Sequence, residues 1–130
     1  MTTVLLDTHT LVWSSLEPER LSPLAAKTIT EADEAAIASV TWYEIAWLVR
    51  HDRVHISSSL DLWLTELSTQ VRTVPISPAI AVTAADLPST FPGDPTDRII
   101  YATSIENGWR LVTKDERLRA HRHSRPVTIW

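Results

Sequence analysis

The sequence predicts a small α/β domain, built as a doubly wound parallel sheet of four or five strands sandwiched by helices. Three observations predict it. Short apolar runs alternate with longer stretches of helical periodicity, which implies parallel strands joined by crossover helices. Hydrophobic residues make up 44 % of the chain, enough for a packed core at this length. No repeat, low-complexity tract or linker divides the 130 residues, so residues 1–130 are expected to form one domain.

The elements follow in order. Val4 to Leu6 reads as a first strand and His9 to Leu16 as a short helix. Ser22-Pro23 is a helix start, with serine as N-cap and proline in the first turn, and that helix is expected to run to about Asp33. Ala35 to Ala38 is a second strand, after which Ser39 is expected to cap a helix to about Asp52 with Ile45, Leu48 and Val49 inward. Ser58 to about Thr69 is a further amphipathic helix, and Val71 to Ile76 a third strand. Pro78 opens a helix to about Ala85, and "LPSTFPGDP" is a loop. A longer helix starts at Asp94 and stops at Asn107-Gly108, a good C-terminal signal. Leu111 to Thr113 is a fourth strand, Asp115 opens a short helix, and Val127 to Trp130 is a last edge strand.

Composition narrows the chemistry. The absence of cysteine excludes disulfides and thiolate metal sites and favours a reducing compartment. No signal-peptide pattern and no apolar run near the roughly 20 residues of a membrane span are present, so the expectation is a soluble cytoplasmic protein. With two glycines there is no phosphate-cradling loop, and the dinucleotide and P-loop fingerprints are missing. The net charge of −4 is unevenly spread. Arg110, Lys114, Arg117, Arg119, Arg122 and Arg125 face only Asp115 and Glu116, leaving that segment at +4 and the rest of the chain at −8.

Five carboxylates stand where ligands gather. Asp7 and Asp115 each follow a strand, Asp94 and Asp97 open the helix "DPTDRIIYA", and Glu44 lies among large apolar residues in "SVTWYEIAWLV". Each has a structural explanation: Asp7, Asp94 and Asp115 as helix caps, Asp97 as the second half of a capping box, and Glu44 as a boundary residue. Open parallel sheets, however, bind ligands beyond the carboxyl ends of their strands, where strand order reverses. If the first and fourth strands are neighbours there, Asp7, Glu44, Asp97 and Asp115 can share one crevice. Two carboxylates about 5 Å apart repel by roughly 3 kcal/mol at an effective dielectric near 20. Either protons are retained or a cation binds. All-oxygen ligation favours Mg²⁺ or Mn²⁺, with His9 left beside the ligands or at the helix start. Such a site suits phosphodiester hydrolysis.

"VLLDTHTLVW", "SVTWYEIAWLV", "GDPTDRIIYATSI" and "LVTKDERL" together resemble PIN-domain ribonucleases, and more narrowly the VapC toxins of bacterial type II toxin–antitoxin pairs. The resemblance covers nearly the whole chain in order. It implies a PIN fold and a Mg²⁺- or Mn²⁺-dependent endoribonuclease that blocks translation, with a VapB-like antitoxin partner, a tRNA or rRNA loop as substrate and a homodimeric state. It implies catalytic and metal-binding roles for Asp7, Glu44, Asp97 and Asp115, with Asp94 accessory and Thr113 a hydroxyl near the site. Lys114, Arg117 and Arg119 are candidates for gripping RNA phosphates. Of the six tryptophans, Trp13, Trp42, Trp47 and Trp63 lie on the early helices that form the antitoxin interface in this family.

Other classes fit less well. A haloacid-dehalogenase-like phosphatase needs a second Asp where His9 stands, and a receiver domain needs an Asp that "VPISPA" lacks. The remaining alternative is a non-catalytic RNA-binding or scaffold module with an acidic metal pocket.

Overall fold

The computed structural model describes residues 1–130. The elements are β1 (Thr3–Leu6), α1 (Thr8–Leu16), α2 (Pro23–Glu31), β2 (Glu34–Ala38), α3 (Val40–Arg50), α4 (Leu60–Ser68), β3 (Arg72–Val74), α5 (Pro78–Asp86), α6 (Pro95–Asn107), β4 (Arg110–Val112), α7 (Glu116–Ala120) and β5 (Thr128–Ile129). The strands form one sheet in the order β3-β2-β1-β4-β5, and every pairing is parallel. This is the predicted α/β class with the upper of the two strand numbers.

Strand alternation distributes the core. Leu5, Ala36, Ala38, Val74 and Leu111 face one side with Ile80, Ile100, Tyr101 and Leu118, so α5, α6 and α7 cover that face. Val4, Leu6, Ile37 and Val112 face the other side with Leu11, Ala25, Ile45 and Trp63, so α1 to α4 cover it. Because both faces are buried, the central strands read as unbroken apolar runs rather than alternating ones.

Several ends differ from expectation. Ser39 has helical backbone angles (φ −57°, ψ −29°) and makes no capping bond, so the turn after β2 is tighter than a capped entry. Ser59, not Ser58, caps α4 through the Leu62 N–H at 3.2 Å. The third strand is only Arg72–Val74, because Pro75 has no N–H to extend the ladder. A 3-10 turn at Pro18–Arg20 had no counterpart in the predicted elements. Gly108 ends α6 in the left-handed region (φ 69°), as the Asn-Gly signal predicts.

The four tryptophans expected at an antitoxin interface differ sharply in exposure. Trp13 and Trp63 are core residues, 8 % and 6 % exposed, and the Trp63 indole donates to the Ser15 hydroxyl at 3.2 Å. Their bodies are spent on packing α1 and α4 against the sheet. Trp42 is half-buried and donates to Thr73 at 3.0 Å. Trp47 alone of the four is substantially open, stacked on His51 at 4.0 Å. Replacing Trp63 with alanine should therefore cost about 3–5 kcal/mol of stability. Trp47→Ala should stay within about 1 kcal/mol, the difference being read by urea denaturation.

Candidate active site

Strand order reverses between β1 and β4, and the site is built on that seam. The Asp7 N–H donates to the Val112 carbonyl at 3.1 Å, which carries the β1–β4 ladder one residue beyond the strand. The Asp7 carboxylate then does two jobs. One oxygen accepts from the Thr8 N–H at 2.8 Å and caps α1; the other accepts from the Thr113 hydroxyl at 2.6 Å. Thr113 has one proton to give, and its lone pair accepts the Asp115 N–H at 3.1 Å. A fully buried hydroxyl thus ties the acid after β1 to the acid after β4.

The capping explanation and the crevice explanation turn out to be compatible. Asp94 caps α6 through Thr96 at 2.8 Å and is exposed. Asp115 caps α7 through Arg117 at 2.9 Å. Asp97 departs from the capping box: it is 8 % exposed and its carboxylate meets the Arg117 guanidinium at 3.2 Å. The same guanidinium meets Asp115 at 2.9 Å.

Charge shows which acids share the space. Burial pushes Asp97 up to about 7, and repulsion from Asp7, Asp94 and Asp115 adds to it against the pull of Arg117. Burial also raises Asp7, opposed by the Thr113 and Thr8 hydrogen bonds and assisted by the charge of Asp115. Glu44, half-buried on α3, is raised by burial and by Asp7 and Asp94, and lowered by the Thr8 hydroxyl and by His9. Asp115 alone moves down: burial would lift it, but the Arg117 hydrogen bonds and charge outweigh that. Asp7, Glu44, Asp97 and Asp115 therefore lie within one electrostatic neighbourhood.

A crevice of about 390 Å³ opens on this neighbourhood, walled by Asp7, His9, Trp13, Lys114, Asp115 and Glu116. Asp97 and Glu44 are not in that wall and couple to it through charge. Of the basic candidates, only Lys114 lines the crevice, its ammonium 5.7 Å from the Trp13 ring centre. Arg117 is committed to two carboxylates rather than free for phosphate, and Arg119 faces a separate groove with Arg110 and Trp130. Thr8 and Thr41 did not stand out in the sequence. Their hydroxyls pair at 3.1 Å, joining the start of α1 to the first turn of α3, where Glu44 is one turn further on. Buried threonines at two helix starts are the signal that could have found them.

Residues 4–123 match the family model described as PIN domain. Over all 130 residues, and the whole of the relative, the chain is 58 % identical to Ribonuclease VapC22 of Mycobacterium tuberculosis (strain ATCC 25618 / H37Rv). The chain belongs to the PIN-domain family, in its VapC branch. Solved structures share the fold at low identity. A toxin–antitoxin complex from Klebsiella pneumoniae superposes with a TM-score of 0.70 at 20 % identity, covering 98 % of this chain and 96 % of that one. VapBC-5 from Mycobacterium tuberculosis gives 0.64 at 17 %, covering 99 % and 97 %.

In this VapC chain the donor set fits a hard divalent cation. Every candidate ligand is a carboxylate oxygen, and two of the carboxylates are buried with raised pKa values. No three His, Cys, Asp or Glu side chains stand grouped closely enough to hold an ion directly. What neutralises Asp97 and Asp115 is a guanidinium whose side chain is 64 % exposed, reaching in from solvent.

The elevated Asp97 carries a pH signature. Its folded pKa lies above its ordinary value of 3.8, so the folded state holds the proton more tightly. The destabilising cost of ionising it is absent below about pH 4 and complete above about pH 7. In metal-free protein, Asp97→Asn should raise stability by up to roughly 4 kcal/mol at pH 8 and by about 1 kcal/mol or less at pH 4.5. Thermal denaturation across that range checks it, and a benefit independent of pH would contradict the assignment.

Proposed function

We propose that the chain is a VapC-type toxin that cleaves RNA endonucleolytically with Mg²⁺ or Mn²⁺ and is held in check by a VapB-like antitoxin. The observation that supports this is the charge coupling of Asp7 to Glu44, Asp97 and Asp115 beside the β1–β4 seam of a PIN fold. The name of its 58 %-identical relative, a ribonuclease, supports the reaction class. The toxin–antitoxin complexes among its structural relatives support the partner.

Asp7 and Asp97 would hold the ion, with Asp115 and Glu44 completing the site directly or through water. An ion bound there would supply positive charge for the phosphoryl oxygens and make a water more acidic. The chain's own residues do the rest. Thr113 fixes the Asp7 carboxylate so that it need not reorganise. Glu44, half-buried one turn into α3 and coupled by charge to Asp7, would help orient the attacking water. Lys114 at the crevice wall offsets the acidic field against an incoming phosphate. Asp94 stays accessory, holding the start of the helix that carries Asp97.

Single-stranded tRNA or rRNA loops are the substrates such an open crevice reaches, and their cleavage would inhibit translation. The antitoxin is assigned to the face carrying Tyr43 and Trp47, which are 70 % and 40 % exposed on α3. A homodimer is the proposed assembly. Asp7→Asn should abolish Mg²⁺- or Mn²⁺-dependent cleavage of an RNA panel, a loss of at least a hundredfold, while leaving the circular dichroism spectrum unchanged. Full retained cleavage would refute the ribonuclease assignment of this site and favour a binding or scaffold role.

A further inference from the structure

The basic segment is more than a counterweight to the acids, because the fold spreads it along one continuous surface. Two grooves flank the segment that follows α7. The first, about 410 Å³, lies between α7 and the loop at Pro88 and Thr90, and begins at Arg117, the residue bonded to Asp97 and Asp115. The second, about 420 Å³, continues past Arg119, His123 and Arg125. His121 and Arg122 wall both, so the grooves adjoin. Neither is lined by a single carboxylate.

The cations here are differently employed. Arg125 donates to the Ser104 carbonyl at 2.9 Å and helps hold the segment against α6. The Arg119 and Arg122 side chains are exposed and make no hydrogen bond or ion pair. Exposed cations without partners also stand at Lys27 and Arg53; what sets Arg119 and Arg122 apart is that they wall one carboxylate-free groove together, which in a chain of net charge −4 favours an anionic polymer. The rim between them is packed against the core. His121 packs edge-on against Phe91 at 5.1 Å and Tyr101 at 5.4 Å, fixing the backbone from which Arg122 projects.

Resting on the ribonuclease function above, we propose that the paired grooves joined at Arg122 are the path of the RNA strand beyond the cleavage site. Arg119 and Arg122 contact its phosphates. The strand runs from the acidic crevice over Arg117 and along the C-terminal side of α7. Phosphate contact of this kind adds affinity without sequence preference.

The test is binding of a single-stranded RNA to the full chain carrying Asp7→Asn, which removes turnover, measured by fluorescence anisotropy over a range of salt. Adding Arg119→Gln and Arg122→Gln should weaken binding about tenfold or more and reduce the slope of log K against log salt by about 1.4 for two lost contacts. Lys27→Gln with Arg53→Gln, on α2 and just after α3 across the sheet, removes the same charge and should change neither by comparable amounts. In an otherwise wild-type chain, Arg119→Gln/Arg122→Gln should raise KM for RNA while leaving kcat within about twofold. Equal losses from both pairs would reduce the effect to net charge and overturn the path. Unchanged RNA affinity in the Arg119/Arg122 variant, with wild-type cleavage intact, would also overturn it and leave the ribonuclease function standing. Absence of any cleavage by the wild type would instead remove the function on which the path rests.

Discussion

Mutual repulsion among carboxylates, enforced by backbone geometry, is the constraint on which the rest of the molecule turns. The parallel β1–β4 pairing places Asp7 beside Thr113 and, through Thr113, beside the Asp115 loop. The chain cannot relax this by moving one acid, because each is also structural. Asp7 caps α1 and Asp115 caps α7, while Asp97 sits in the first turn of the helix that fills one face of the core. Isolated buried charges are expensive, and a protein that keeps several together needs a compensating cation or retained protons. In this structure Asp97 leans toward the proton and Asp115 toward Arg117.

Arg117 then has an unusual position. Its backbone is capped by Asp115 and its guanidinium returns to Asp115 and crosses to Asp97. With its side chain largely exposed, it compensates charge without paying the full desolvation of a buried partner. In that position it also lines the first of the basic grooves. Acidic centre and basic flank are therefore consecutive parts of one surface, which explains why a chain of net charge −4 concentrates +4 into so short a segment.

Much of this was legible in the sequence, and for physical reasons. Apolar strand runs and capping residues are local signals, so the order of elements and the family resemblance came through. The neighbourhood of Asp7 and Asp115 followed from the topology rule for open sheets, which needs only strand order. What did not come through depends on tertiary contact. Nothing local distinguishes the buried Trp63 from the open Trp47, since both lie on amphipathic helices with apolar neighbours. Thr8 and Thr41 meet only after α1 and α3 pack. Arg117 and Arg119 are two residues apart on one short helix, and that spacing turns one toward the acids and the other away.

The most direct measurement is the thermal stability of the wild-type chain with and without Mn²⁺ or Mg²⁺, at pH 8 and at pH 5. If the ion relieves the carboxylate repulsion, saturating metal (about 100 times Kd) should add about 2.7 kcal/mol at pH 8, seen as a rise in Tm. At pH 5, where Asp97 retains its proton, the gain should shrink markedly. A Tm that ignores divalent ions at both pH values would contradict the account.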